Sequence, residues 1–222
     1  MAVDAGSFAK AEAELRDRVN RYGSWFQRFQ FAHKIEILRR SECLSLLSST
    51  GTTLDLGCGT GIIACMVALA FPQKQVIGID TDERRIGSCQ KLSNGIPNVS
   101  FLSGDVRKFD LHVSQEIICF DVLHHLPEEA QDRLVLNVAA NLDTGGRFIV
   151  FEVDTAPSPR WKYWVSLLSD YLLYPFQEKA HFRSSAAYHN LFQSAGLEVE
   201  TTQVLPSSIV APILYVARRA NQ

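Results

Sequence analysis

Glycine stands at every second position in Leu54-Asp55-Leu56-Gly57-Cys58-Gly59-Thr60-Gly61, between one apolar run and the next, which opens at Ile62. Glycine admits positive φ in a tight turn, and its missing Cβ lets a ligand lie directly on the backbone. A helix starting at Ile62 would offer unpaired N–H groups and the positive end of its dipole to an anionic group. The pattern reads as a seat for a small anionic or zwitterionic cofactor. A plain strand-to-helix turn is the alternative, but it needs one glycine rather than three.

Spacing narrows the choice of cofactor. A dinucleotide fingerprint, G-x-G-x-x-G, would put its last glycine where this chain has Ile62. A P-loop would end in Gly-Lys-Ser/Thr, which is absent. A nicotinamide oxidoreductase therefore fails on the glycine spacing.

Further along, acidic and basic side chains punctuate the apolar runs. Asp80 closes Val76-Ile77-Gly78-Ile79, where a carboxylate can accept from both hydroxyls of a ribose. Its other role would be the cap of the next helix, which Thr81 can equally take. Asp105, in Ser103-Gly104-Asp105-Val106, reads as a ligand contact or a turn aspartate. The segment Phe120-Asp121-Val122-Leu123-His124-His125-Leu126-Pro127 brings two histidines together. A histidine can take a proton from an attacking hydroxyl, because its pKa lies near working pH. His125 can also pack on a cofactor, and His124 can face solvent or a substrate cavity. No third ligand has the spacing to make either a metal ligand.

The elements that would carry these residues alternate. Strands are expected at Thr53–Leu56, Gln75–Ile79, Asn98–Leu102, Glu116–Phe120 and Gly146–Val153, the last after a Gly145-Gly146 turn. Helices are expected at Ile62–Phe71, at Asp82–Leu92 with Thr81 as its cap, and at Glu128–Asn141. Apolar strands joined by helices indicate a parallel sheet covered on both faces. Ligands then bind at the carboxyl ends of the strands. Asp55, Asp80, Asp105 and Asp121 each fall at or just beyond the end of a different strand, which fold stability alone does not explain. Ahead of this core lie two or three helices, with Ala9–Arg21 charged and Tyr22–Arg40 aromatic. Behind it come an irregular insert with an aromatic helix at Trp161–Tyr174, then a helix and strands at Leu197–Val204 and Ile209–Ala217.

Composition agrees with an ordinary soluble globular chain: 222 residues, 46% hydrophobic, 21% charged, formal charge −2. No basic surplus points to nucleic acid. No secretion signal opens the chain, and no apolar run approaches the roughly 18 residues of a membrane span. Five cysteines without a C-x-x-C pair read as reduced thiols of a cytoplasmic protein, with neither disulfide nor zinc.

The run "LDLGCGTG" resembles the first motif of the class I S-adenosylmethionine-dependent methyltransferases. In that family the loop takes a methionine carboxylate and amine, with no pyrophosphate to hold. Phe120 to Pro127 resembles the fourth motif of small-molecule members, often x-x-L-H-H-L, which lies beside the departing methyl group. The motifs cover roughly residues 50–155. The resemblance implies an α/β, Rossmann-like seven-stranded sheet of order 3-2-1-4-5-7-6, with the last strand antiparallel, helices on both faces and an N-terminal helical lid. It implies one domain over 1–222, divided into a lid (1–50), a cofactor core (51–155), an aromatic substrate-side insert (156–190) and a C-terminal helix with strands (191–222). The implied cofactor is S-adenosyl-L-methionine. Gly57, Cys58, Gly59 and Gly61 would hold its amino-acid tail, and Asp55 would orient loop amides or reach its amine. Asp80 with Thr81 would take the ribose, Asp105 with Val106 the adenine, and Phe120 and Asp121 would complete the cofactor residues.

In such enzymes the sulfonium is already activated, so holding the nucleophile in line supplies most of the rate. A general base adds about 10²–10⁴-fold for a hydroxyl acceptor. His125 and His124 are the catalytic candidates. Trp25, Phe26, Trp161 and Trp164 suggest a small apolar or aromatic acceptor, and their faces would attract the sulfonium. Glu152 and His181 are candidates for orienting it, whereas Arg183 reads as a surface salt bridge. The preferred reading is O-methylation by in-line displacement, with N- or C-methylation next. Its rivals are an RNA methyltransferase, disfavoured by the missing D/N-P-P-Y/F motif, and a non-catalytic scaffold that binds the cofactor or its product. Acceptor and oligomeric state are not legible.

Overall fold

The computed structural model describes residues 5–108, 114–153, 180–205 and 212–219. Its strands are β1 (Gly51–Leu56), β2 (Lys74–Asp80), β3 (Val99–Ser103), β4 (Ser114–Phe120), β5 (Leu142–Val153), β6 (Leu197–Val204) and β7 (Pro212–Arg219). They form a seven-stranded sheet of order β3-β2-β1-β4-β5-β7-β6. The helices are α1 (Ala5–Tyr22), α2 (Trp25–Ser41), α3 (Ile62–Ala70), α4 (Glu83–Leu92), α5 (Glu128–Asn141) and α6 (Ser185–Ser194). The order is the one the resemblance implies. β7 runs antiparallel to both neighbours, with Tyr215 opposite Val150 on β5 and Thr202 on β6.

The chain divides into two compact units, residues 1–110 with 114–118, and residues 111–113 with 119–222. In the first, β2 pairs in parallel with β1 and β3, setting Leu54 beside Ile77 and Asp80 beside Ser103. Helix α3 is buried from Ile62 to Ala68, which is why its sequence is apolar all round. Near the start of β2 the buried Lys74 ammonium pairs with Glu116 and also donates to Ser48 O and Thr50 O, each at 3.1 Å. Glu116 accepts in addition from Ser48 N at 2.6 Å and Thr53 Oγ1 at 3.0 Å. A buried ion pair survives when such bonds satisfy its remaining donors and acceptors.

The second unit is built on aromatic packing. Tyr188 lies against Tyr215 with ring centroids 5.6 Å apart, and Phe148 meets Phe192 edge-on at 6.0 Å. Helix α5 passes into β5 without a loop. Arg219 makes this junction possible by donating to Leu142 O at 2.7 Å and Ala140 O at 3.3 Å, carbonyls a helix end would leave unpaired.

Three expectations need correction. β5 starts at Leu142, so Gly145-Gly146 lies inside the strand, with Gly145 at φ 73°. Helix α4 is capped by Asp82, which accepts from Arg84 N at 2.9 Å, and Thr81 plays no part. Helix α6 begins at Ser185, capped by the Ser184 hydroxyl, within the stretch expected to be an irregular insert. The aromatic helix at 161–174 and the first residues of the last expected strand lie outside the described residues.

Candidate active site

Gly57, Gly59 and Gly61 all take left-handed backbone, with φ of 68°, 53° and 72°. The loop closes on itself through Gly61 N donating to Cys58 O at 2.9 Å, and is tied to β2 by Cys58 N donating to Ile79 O at 2.9 Å. Gly61 then caps α3 with no side-chain hydrogen bond. The start of α3 is the kind of helix terminus that receives an anion, although its Ala64 amide is engaged by Asp55. A Cβ on Gly61 would come 2.8 Å from Cys89 Sγ, so that glycine serves packing. Among the described residues, a Cβ on Gly59 would meet only Gly57 O, at 3.8 Å. Its glycine keeps open a space above the loop.

Asp80 organises this loop directly. One carboxylate oxygen accepts from Gly59 N at 2.8 Å, and the other from Asp82 N at 2.9 Å. Asp80 is therefore not the cap of α4 but the brace between loop and helix. Thr81 is exposed between them. From α4, Cys89 Sγ donates to Gly59 O at 3.3 Å. Hydrogen bonding with Cys89, together with burial, raises the Cys58 thiol far above its usual range, so Cys58 stays neutral and serves the site through its backbone.

Asp55 lies beneath the loop with 2% of its surface exposed. Its Oδ2 is buried with no hydrogen-bond partner among the described residues. Burial pushes its pKa up to about 7, against the opposing pull of Lys34, while Asp80 raises it further and the Ala64 amide lowers it. Asp105, two residues past β3, is clasped by Arg107, whose Nε and Nη2 donate at 2.8 and 2.7 Å. That guanidinium holds the Asp105 carboxyl below its usual range. Val106 beside it is buried.

The second unit holds the histidines. Asp121 follows β4 with φ 56°, and its N–H donates to Phe151 O at 2.9 Å. Asp is among the few non-glycine residues tolerated there. Phe120 is buried against Phe151, with ring centroids 5.5 Å apart. His124 is 3% exposed, so the solvent-facing role considered for it is corrected. Its Nδ1 lies 2.5 Å from Glu152 Oε2, and Glu152 Oε1 accepts from Leu123 N at 2.7 Å and Val122 N at 3.2 Å. The fully buried Glu152 thus acts on His124 and the histidine turn. Phe182 stacks on the His124 ring at 4.8 Å, and the half-exposed His125 ring lies 4.1 Å away. His181 contributes main chain, its N donating to His124 O at 2.6 Å and its O accepting from Gln131 Nε2 at 2.9 Å. Arg183 pairs with Asp132 at 2.7 Å, as the salt-bridge reading has it.

Trp25 is 78% exposed at the start of α2 and meets Phe26 edge-on at 5.7 Å. Trp161 and Trp164 lie outside the described residues. Two residues of α2 that hold the loop went unread in the sequence: Gln27, whose Nε2 donates to Thr60 O at 2.9 Å, and Gln30, whose Oε1 accepts from Thr60 Oγ1 at 3.1 Å. The available signal was Ser24-x-x-Gln27, a capping-box pattern just before an apolar stretch.

Comparison with known proteins agrees with this geometry. A family model described as a methyltransferase domain matches residues 47–202, well over half the chain. The chain belongs to the class I S-adenosylmethionine-dependent methyltransferases. It is 26% identical over 184 residues to a trans-aconitate 2-methyltransferase of Acidovorax sp. (strain JS42), covering 79% of this chain and 68% of that one. Over 101 residues it is 31% identical to a malonyl-[acyl-carrier protein] O-methyltransferase of Halalkalibacterium halodurans, covering 46% of this chain. The match spans about a third, 35%, of that relative's length. The magnesium protoporphyrin IX methyltransferase of Synechocystis PCC 6803, solved with bound SAH, superposes with a TM-score of 0.68 at 21% identity, over 92% of this chain and 94% of that one. No described helix is long and apolar enough to cross a membrane.

Proposed function

We propose that this chain, acting in the cytoplasm, transfers a methyl group from S-adenosylmethionine to an oxygen of a small apolar or aromatic acceptor. The observation that carries the oxygen assignment is the His124–Glu152 pair. Glu152 accepts the Nδ1 proton of His124, which leaves Nε2 as the basic nitrogen. Two backbone amides hold Glu152 in turn, so the imidazole is fixed in both tautomer and direction. This is the arrangement of a general base for a hydroxyl.

Three features of the first unit fit the cofactor. Space above Gly59 accommodates a ligand on the backbone. The buried Oδ2 of Asp55, without a partner among the described residues, fits an ammonium, and the positive start of α3 fits the carboxylate beside it. A carboxylate offers about four lone-pair sites, so Asp80 can hold Gly59 and Asp82 while it accepts from ribose hydroxyls. Asp105 and Val106 are assigned to the adenine, and Phe120 and Asp121 complete the set.

The cofactor supplies an electrophilic methyl on a sulfonium. For a hydroxyl acceptor, His124 Nε2 would take the proton released on transfer, and Glu152 would balance the charge that His124 gains. His125 packs on the His124 ring and is assigned the shielding of that nitrogen. A carboxylate acceptor is the second reading, favoured by relatives named for trans-aconitate and malonyl-[acyl-carrier protein]. It needs no base, because the nucleophile is already ionised.

Methyl-labelled cofactor offered with panels of phenols, enols and carboxylic acids tests both readings. Labelled ether whose formation is abolished by His124→Ala supports the first. Ester formation indifferent to that change supports the second. No labelled product from any panel or metabolite extract contradicts both and favours a non-catalytic binder.

A further inference from the structure

Helix α2 is gripped by the cofactor loop at two adjacent groups. Thr60 lies between two left-handed glycines, at the loop's apex. Its carbonyl accepts from Gln27 Nε2 at 2.9 Å and its hydroxyl donates to Gln30 Oε1 at 3.1 Å. Both glutamines are buried, Gln27 to 1% exposure, although they stand on a helix whose opposite side bears Trp25 at 78% and Phe29 at 62%. A buried side-chain amide that reaches out of its helix must find partners, and these find them on the loop.

Gln27 has a second duty. Its Oε1 accepts from Ser24 N at 2.8 Å while Ser24 Oγ accepts from Gln27 N at 3.2 Å, a complete capping box. One amide therefore joins the first turn of α2 to the loop. Its orientation is not ambiguous, because the oxygen faces an N–H and the nitrogen faces a carbonyl. Asp80 and Cys89 hold Gly59 from β2 and α4. Gln27 and Gln30 hold Thr60 from outside that core.

We propose that Gln27 and Gln30 are positioning residues that couple occupancy of the glycine loop to the order of α2. The inference rests on the cofactor reading above. A loop with three left-handed glycines has little stiffness of its own, so a ligand that fixes Thr60 also fixes the groups hydrogen-bonded to it. The coupling is reciprocal: the factor by which cofactor steadies α2 equals the factor by which an ordered α2 tightens cofactor.

Gln27→Glu separates the two duties. Glutamate serves the capping box as well as glutamine does, and an acid in the first turn suits the helix dipole. It offers no donor to the Thr60 carbonyl. Hydrogen exchange of α2 amides is measured with and without S-adenosylhomocysteine, beside calorimetric titration of the same ligand, in wild type, Gln27→Glu and Thr60→Val. In wild type the ligand is expected to slow α2 exchange by about tenfold. In both variants that protection should shrink, with affinity weakened by the same factor, while Thr60→Ser keeps the wild-type values. Ligand heat without α2 protection in wild type, or full protection in Gln27→Glu, overturns this coupling and leaves the cofactor reading standing. Absence of ligand heat in wild type overturns both.

Discussion

The Asp80 carboxylate accepts the Gly59 amide at 2.8 Å, so the end of β2 holds the middle glycine of the loop that follows β1. Its second oxygen holds Asp82 N at 2.9 Å, and Asp82 caps α4. The residue assigned to the ribose therefore also shapes the loop assigned to the amino-acid tail. Asp80→Ala should weaken S-adenosylhomocysteine at least about tenfold, since a charge-assisted hydrogen bond is worth roughly 1.5–3 kcal/mol. Unchanged calorimetric affinity would remove Asp80 from the site.

The proposed place of Asp55 at the cofactor ammonium predicts pH-dependent binding. Its folded-state pKa is raised from 3.8 to about 7. Between those values the folded chain keeps a proton that the unfolded chain has lost, so its contribution to stability declines as pH rises through that window. An ammonium at Oδ2 favours the ionised form. Ligand binding should therefore release protons at about pH 6, and far fewer at about pH 8.5. Calorimetry in buffers of differing ionisation heat measures this. Asp55→Asn should abolish the release, and the same release in that variant refutes the assignment.

Glu152→Gln tests the base. The amide oxygen must face Val122 N and Leu123 N, which turns its NH₂ toward His124 Nδ1. Nδ1 then has to accept, and the proton moves to Nε2, the wrong tautomer for a base. Turnover of a hydroxyl acceptor should fall by about 10² or more, with S-adenosylhomocysteine affinity retained. Retained turnover would show that His124 is not the base.

Much of this was legible from spacing. The extents of α5 and β6 follow the hydrophobic pattern to the residue, and alternating apolar runs with the glycine loop gave the sheet order through the family resemblance. Errors fell where local signals compete. Thr81 and Asp82 are both good caps, and the bond from Arg84 N to the Asp82 carboxylate decides between them. Gly145-Gly146 looked like a turn, because the true end of α5 is closed by Arg219, which lies more than 70 residues further along the chain. His124 and Glu152 were each singled out, but not as partners. Their contact links residues 28 apart, and local periodicity carries no record of it.

Lys74 and Glu116 make a separate prediction about folding. Glu116→Ala leaves a buried ammonium without its counter-charge and should cost about 3–5 kcal/mol. Lys74→Met with Glu116→Leu should recover most of that. Denaturant titration of the three chains checks it, and a loss below about 1 kcal/mol for the single change contradicts it.

The cradle itself is tested most directly at Gly59. A Cβ there meets nothing closer than Gly57 O at 3.8 Å, so Gly59→Ala pays only the left-handed backbone penalty of about 1–2 kcal/mol and should fold. The methyl group would occupy the space assigned to the amino-acid tail. Calorimetric titration with S-adenosylhomocysteine should give one site in wild type and a loss of at least about 10²-fold in folded Gly59→Ala. Equal affinity in the two proteins would contradict the account.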